Sequence, residues 1–287
     1  MNHTTVFTAH RSDMLAAAFH ITGSRFDAED VVQDAWEKWA RVELDSVRTP
    51  RVFLSVMVSR LALNAVRTQR RRRESYLGPW VPDPIIDNGA PEWAALHREG
   101  LGQALDFVLS TLTPEQATAY VLRKVLEIDY DSIAEVLDTS PAAARQLVSR
   151  AQRAVTGAIG EADSEQSERD AQALASLAAA VLSEDVDQIA ALLTADSTLY
   201  SDGGGKAKAA LRPVVGPEKI ARFLLGIASQ ADMVPTPATI NGSAGVVFSQ
   251  RGEIVATVTL RAAEGGVSAL YFVRNPDKLA ALAAIGH

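Results

Sequence analysis

A chain of 287 residues, 47% of them hydrophobic, is long enough for two domains or for three small ones with real cores. The absence of cysteine excludes disulfides, thiolate nucleophiles and cysteine-ligated zinc, and a net charge of −7 argues against a protein that simply coats nucleic acid. No apolar run approaches membrane-spanning length, and Met1-Asn2-His3-Thr4-Thr5 lacks a signal-peptide pattern, so a soluble, cytoplasmic protein is expected. Charge is unevenly placed along the chain. It is acidic from Asp13 to Asp45, almost purely basic from Arg48 to Arg73, and acidic again after Glu161. Such local fields decide whether a segment meets phosphate.

Phe7 to Thr22 is predicted helical, with Phe7, Met14, Leu15, Ala18 and Phe19 for burial and Gly23-Ser24 as its end. Asp27 reads as the N-cap of a second helix whose apolar side carries Val31, Val32, Ala35, Trp36 and Trp39. Pro50 opens a third, apolar through Phe53, Leu54, Val56, Met57 and Val58, which runs on into Arg70-Arg71-Arg72-Arg73. Three helices around one core make a first domain, residues 1–75. Residues 76–92 hold Pro79, Pro82, Pro84 and Pro91 and form a linker. Tyr76, Trp80, Val81, Ile85 and Ile86 make it too apolar for a free tether, so it is expected to dock, with Trp80 as the anchor.

Trp93 to Leu109 and Pro114 to Val125 are expected to be helical, within a second domain over 93–160. Ile133 to Leu137, the polar turn Asp138-Thr139-Ser140 and a helix from Pro141 then form a helix-turn-helix, with Ser140 as N-cap. Leu147, Val148, Ala151 and Val155 make the inward stripe of its second helix. Ala142, Arg145, Gln146, Ser149 and Arg153 are left outside, and no acid occurs from Pro141 to Val155. Arg and Gln are the side chains that read guanine and adenine edges, and Ser commonly bonds phosphate, so this face points to DNA. A solvated bundle surface is the plainer alternative.

The last third, 161–287, changes character. Ala171–Val181 and Asp185–Leu193 read as helices, and Gly216-Pro217-Glu218-Lys219 starts another. Ser197–Ser201, Val246–Ser249, Ile254–Leu260 and Val267–Val273 read as strands. Helices followed by strands suggest an α+β domain with a curved antiparallel sheet wrapped on helices.

In this order the motifs resemble those of bacterial RNA polymerase sigma factors of the extracytoplasmic-function (ECF) group. Asp27 to Trp36 is similar to the family's region-two helix, Phe53 to Asn64 with the following arginines to its minus-ten segment, and Leu112-Thr113-Pro114-Glu115-Gln116 through Ala151 to its region four. The last third resembles the cone-shaped SnoaL-like domain fused to one subgroup. Three signatures carry that likeness: Trp80-Val81-Pro82-Asp83-Pro84, Asp202-Gly203-Gly204-Gly205-Lys206 and Asn275-Pro276-Asp277-Lys278-Leu279. Val81 and Asp83 depart from it, since Leu and Glu would be expected there. The implied architecture is multidomain: two all-α sigma domains, the second with the helix-turn-helix, and the α+β SnoaL-like domain.

The resemblance implies a factor that binds core RNA polymerase through Asp30, Gln33, Asp34, Trp36 and Glu37 and directs it to promoters. Arg60, Asn64 and Arg67 share one helix face and, with Arg70, Arg71, Arg72 and Arg73, would track phosphates and hold a flipped base at the minus-ten element. Ala142, Arg145, Gln146, Ser149 and Arg153 would read the minus-thirty-five element. Trp80, Pro82, Asp83 and Pro84 of the linker, Asp202, Gly203, Gly204, Gly205 and Lys206, and Asn275, Pro276, Asp277 and Lys278 are implied to regulate the factor in cis, in place of a separate anti-sigma factor. No cofactor, metal, membrane or catalytic residue is expected, although a small ligand in the C-terminal domain remains open. So does an alternative: a ligand-sensing regulator, or a SnoaL-like isomerase or cyclase using a carboxylate such as Asp196, Asp202 or Asp277, fused to a DNA-binding module. The glycine loop lacks the spacing of a phosphate-cradling loop.

Overall fold

The computed structural model describes residues 2–74, 76–86, 93, 102–159, 165–229 and 232–283. Two compact units emerge. The first contains α1 (His3–Thr22), α2 (Arg25–Trp39), α3 (Pro50–Glu74), the end of α4 (Gly102–Thr111), α5 (Pro114–Tyr120), α6 (Tyr130–Leu137) and α7 (Pro141–Ile159). The second contains linker residues 76–86, the first turn of α4, and everything described from α8 (Gln166–Leu182) onward.

In the first unit, Asn2 caps α1 by accepting the Thr5 N–H at 2.8 Å, and Gly23 ends it in the left-handed region with φ 65°. The cap of α2 is Ser24, three residues before the expected Asp27; its hydroxyl accepts the Asp27 N–H, and Asp27 falls in the first turn, where an acid suits the helix dipole. Met14, Leu15, Phe19, Val31, Ala35, Trp39, Leu54, Val58 and Leu63 form the buried seam of α1–α3. Trp39 Nε1–H donates to the carbonyl of His3 at 3.0 Å, so even the indole is satisfied.

Trp93 is buried, edge-on to Phe19 and under the Arg25 guanidinium. The rest of the helix expected over Trp93–Leu109 is observed from Gly102, and residues 94–101 lie outside the described residues. A capping box between Thr113 and Gln116 starts α5. Its expected continuation widens into one π turn over Val121–Val125, closed by Leu126 N–H to Val121 O at 3.1 Å. Asp129 caps α6, Asp138 ends it in the left-handed region, and the Ser140 hydroxyl accepts the Ala143 N–H at 3.2 Å at the start of α7. The turn and the start of α7 fall where expected, while α6 begins three residues earlier, at Tyr130; Val148, Ala151 and Val155 are buried as expected, with Ala144 in the stripe and Leu147 only partly buried.

The second unit has α8 and α9 (Val186–Ala191), β1 (Leu193–Asp202), β2 (Val214–Val215), α10 (Pro217–Ala228), β3 (Val234–Ile240), β4 (Ser243–Gln250), β5 (Glu253–Ala263), β6 (Gly266–Val273) and α11 (Pro276–Ala283). The sheet order is β2-β1-β6-β5-β4-β3. This is the expected α+β domain, but the sheet is mixed. β6 returns beside β1 running parallel to it, Leu199 opposite Leu270, because α10 carries the chain back over the sheet before the β3–β6 meander begins. β3 was not foreseen, since Pro235 and Pro237 argue against a strand; it is tolerated because β3 is an edge.

Leu177, Ile189, Leu199, Ile220, Leu260 and Leu270 form the core between the helices and one sheet face. β5, expected to be half-buried, is buried on both faces from Ala256 to Ala262. Asp170 of α8 is fully buried and accepts the Ala262 N–H at 2.7 Å and the Gln166 amide at 2.7 Å. Burial raises its carboxyl against these bonds and the Arg261 charge.

The buried pair His20 Nδ1–Asp106 Oδ1, 2.7 Å, ties α1 to α4 within the first unit. His20→Ala takes this partner from a buried carboxyl. Urea unfolding should show a loss of roughly 2–4 kcal/mol; a change below about 0.5 kcal/mol would mean the pair carries no stability.

Candidate polymerase and nucleic-acid interface and the linker clamp

On α2 the inward stripe Ala28, Val31, Val32, Ala35 and Trp39 leaves Asp30, Gln33, Asp34 and Glu37 exposed together. Slight burial and then the charges of Asp27, Asp34 and Glu29 raise the Asp30 carboxyl, as expected where acids crowd one face. Trp36 is partly buried, edge-on to Phe7 at 5.1 Å, so it borders this face and also packs α1 on α2.

Arg60, Asn64 and Arg67 are all exposed on α3. Two of the three are already engaged within this unit. Arg60 Nη2 donates to the carbonyl of Glu135 at 2.7 Å and to its carboxylate at 3.0 Å; Arg67 donates through Nε and Nη2 to Glu115 at 3.0 and 2.8 Å. Burial pushes the Glu115 carboxyl up, but the Arg67 bonds and the local backbone and Thr113 bonds outweigh it and hold it below the ordinary glutamate range. The stabilisation from this contact is therefore present above the ordinary value and is lost as pH falls through the depressed one. An open groove of about 650 Å³ is lined by Arg48 of the loop before α3, by Val52, Phe53, Val56 and Arg60 of α3, and by Glu135 of α6. Arg70–Arg73 continue the α3 backbone, but their side chains lie outside the described residues.

On α7, Ala142, Arg145, Gln146, Ser149 and Arg153 are exposed on one face. The Arg145 guanidinium lies 5.0 Å from the ring centre of Tyr130, with Arg123 over the same ring at 4.8 Å. Such contacts hold a long side chain in place for roughly 0.5–1 kcal/mol at an exposed site. Tyr130, Arg123, Glu115 and Glu135 were not singled out from the sequence, because nothing in its periodicity marks which surface residues meet.

In the second unit the three signature segments converge. Asp202 ends β1 fully buried. One carboxylate oxygen accepts the Tyr76 hydroxyl and the Gly204 N–H at 3.0 Å; the other accepts the Val81 N–H at 2.9 Å and faces Lys278 Nζ at 3.0 Å. Lys278, 8% exposed, also donates to the Val81 carbonyl, stands 3.6 Å from Asp83 and lies 4.0 Å from the centre of the Trp80 ring. Asn275 donates to the Tyr76 hydroxyl at 2.8 Å and caps α11 through the Asp277 N–H. Burial and the Asp202 bond push the Tyr76 hydroxyl far above its ordinary range, which keeps it a donor.

Further along the linker, Ile85 and Asn241 exchange bonds at 2.8 Å, Asn241 reaches the Asp83 carbonyl, and Gln103 donates to that of Pro82. The buried anchors are Val81, Pro82, Pro84 and Ile85. Trp80, expected to be the anchor, is only partly buried and instead covers the Lys278 ammonium. Gly203 and Gly204 permit the close approach: a Cβ would stand 2.3 Å from the Ala207 carbonyl at the first and 2.4 Å from the Asn275 amide at the second, where φ is +60°. Lys206 pairs with Asp277 at the surface at 2.6 Å, and the Gly204 N–H is used within the loop, so the loop does not present its amides as a phosphate cradle does. Among the described residues, no group of three acidic or histidine side chains is placed to hold a metal.

Residues 6–72 match the family model for sigma-70 region 2 and residues 102–155 that for sigma-70 region 4. The chain is 35% identical over 291 residues to the ECF RNA polymerase sigma factor SigJ of Mycobacterium tuberculosis, covering 95% of this chain and 91% of SigJ. The crystal structure of SigJ superposes with a TM-score of 0.78 at 33% identity, covering 96% of this chain and 98% of that one. The chain is an ECF RNA polymerase sigma factor.

SigI of the same organism, a probable ECF sigma factor, is 28% identical over 51% of this chain and 52% of its own. Sigma factors work with core RNA polymerase and promoter DNA. No helix among the described residues of this sigma factor is long and apolar enough to cross a membrane.

A double-mutant cycle tests the clamp. Lys278→Met leaves Asp202 buried without its cation and should cost about 3 kcal/mol in urea unfolding. The double variant Asp202→Asn/Lys278→Met should recover at least half of that. Losses that simply add would show that the pair is not the centre of the clamp.

Proposed function

We propose that this sigma factor meets core polymerase through the acidic face of α2, with Asp30, Gln33, Asp34 and Glu37 exposed and Trp36 at its border. The minus-ten element meets Arg60, Asn64 and Arg67, with Arg70–Arg73 following, and the minus-thirty-five element meets Ala142, Arg145, Gln146, Ser149 and Arg153. Residues 1–75, 93–160 and 161–287 are then region 2, region 4 and a SnoaL-like regulatory domain, acting in the cytoplasm.

One observation supports a further step. The two promoter elements lie about 25 base pairs apart, roughly 85 Å at ~3.4 Å per base pair. Arg60 and Arg67 are nevertheless within hydrogen-bond distance of Glu135 and Glu115. This arrangement is a resting form, and promoter phosphates must replace the two glutamates. Exposed ion pairs are worth about 0.2–1 kcal/mol each, so they bias the equilibrium without locking it.

Regulation in cis follows from the linker, which joins the two sigma regions and is bonded along its length to the C-terminal domain. That domain takes the place of a separate anti-sigma factor. A catalytic role is not part of the proposal: Asp202 is committed to the clamp, Asp277 pairs with Lys206 at the surface, and Asp196 is exposed.

Run-off transcription with core polymerase tests the reading; no initiation at any genomic promoter, with or without residues 161–287, would refute it. Glu115→Gln/Glu135→Gln should raise promoter affinity of the free factor a few-fold, and unchanged affinity would remove the resting-form argument. Arg145→Ala should cost roughly 1–3 kcal/mol on cognate DNA and little on scrambled DNA in competition gel shifts. Equal losses on both would make it a phosphate contact instead.

A further inference from the structure

A cavity of about 260 Å³ in the C-terminal domain lies between α10, the end of β6 and the loop that follows the glycine signature. Phe223, Ile227 and Phe272 supply its apolar wall, with the two phenylalanine rings edge-to-face at 6.3 Å. Its charged lining is Lys208 and Arg274, with no acid among the lining residues, in a chain of net charge −7. Arg274 turns Nη1 to the Lys208 carbonyl at 3.2 Å, while its buried Nε has no hydrogen-bond partner. The edge left is Nε with Nη2, the fork that matches a carboxylate. Partial burial lowers the Arg274 pKa. A buried donor without an acceptor is a standing cost, and a turn of the guanidinium that brings Nε to the cavity surface would let an anion remove it.

We propose that this cavity binds a small carboxylic acid with a compact apolar body, its carboxylate on the Nε–Nη2 edge of Arg274, near Lys208, and its body against Phe223, Ile227 and Phe272. The volume falls below the usual range for drug-sized ligands, which suits a single-ring acid. The site adjoins the clamp. Arg274 N–H donates to the Asp202 carbonyl at 2.7 Å, and a Cβ on Gly78 of the linker would stand 3.7 Å from the Ala210 carbonyl in the same loop. Occupancy would thus act on the loop that holds the linker. That consequence rests on the proposed cis regulation; the binding itself does not, so either can fail alone.

The test is calorimetric titration of the full chain with benzoate and 3-phenylpropionate against their primary amides and against sulfate. At least one acid should bind tenfold or more tighter than its amide and than sulfate. Arg274→Gln should weaken it at least tenfold, and Lys208→Gln a few-fold. Gly226→Leu is the second variant: Gly226 lines the cavity on α10, a Cβ there meets nothing within 4 Å, and leucine favours the helix, so the fold survives while the space is filled. It should abolish binding. No binding of either acid, equal binding of acid and amide, equal binding of acid and sulfate, or binding unchanged in Arg274→Gln or Gly226→Leu would each overturn the proposal.

Discussion

A carboxylate with no access to water must have every lone pair answered or it destabilises the fold that buries it. Asp202 is in that position, and its four partners come from three places in the chain: a tyrosine hydroxyl and a backbone N–H of the linker, a backbone N–H of its own loop, and a lysine on α11. Each partner is fixed in turn. Asn275 holds the tyrosine, Trp80 and Asp83 flank the lysine, and the glycines at 203 and 204 let the loop come close enough. The linker path is therefore set by electrostatic necessity as much as by apolar burial. The described linker, residues 76–86 with Pro79, Pro82 and Pro84, would otherwise be a stiff spacer and instead becomes part of the second unit.

The surface proposed to meet promoter DNA obeys the opposite rule. Arg60 and Arg67 meet glutamates in contacts that remain about half open to solvent. Water screens these pairs, so each is worth little and can be exchanged for phosphate. A buried, fully satisfied clamp in one unit and weak, exchangeable surface pairs in the other are what the proposed regulation requires: one part resists opening and the other yields to the correct partner.

Much of the fold was legible because local chemistry decides it. Gly23, Pro50, Ser140 and Pro141 fix helix ends within a residue or two, and the alternation in β5 marks a strand irrespective of context. Ser24 displaced Asp27 as a cap because either residue can serve and only the packing of α1 on α2 chooses. β3 escaped notice because its two prolines are forbidden in a central strand and allowed at an edge, and edge status is a property of the whole sheet. The parallel pairing of β1 with β6 is likewise set by where α10 sends the chain. Asn241-Gly242 turns β3 into β4, and nothing local shows that this asparagine also receives the Ile85 N–H. The three signature segments could be named from the sequence, yet their meeting on one carboxylate could not, since the linker lies more than a hundred residues before the glycine loop and the last segment about seventy residues after it.

Backbone hydrogen exchange at two linker amides tests the central claim most directly. In the intact factor, the Val81 N–H is given to Asp202 and the Ile85 N–H to Asn241. Both should exchange at least roughly a thousandfold more slowly than in an unstructured chain, about 4 kcal/mol of opening free energy, and both should be released together in Asp202→Asn. Exchange of Val81 and Ile85 at unstructured-chain rates in the native protein would contradict the account.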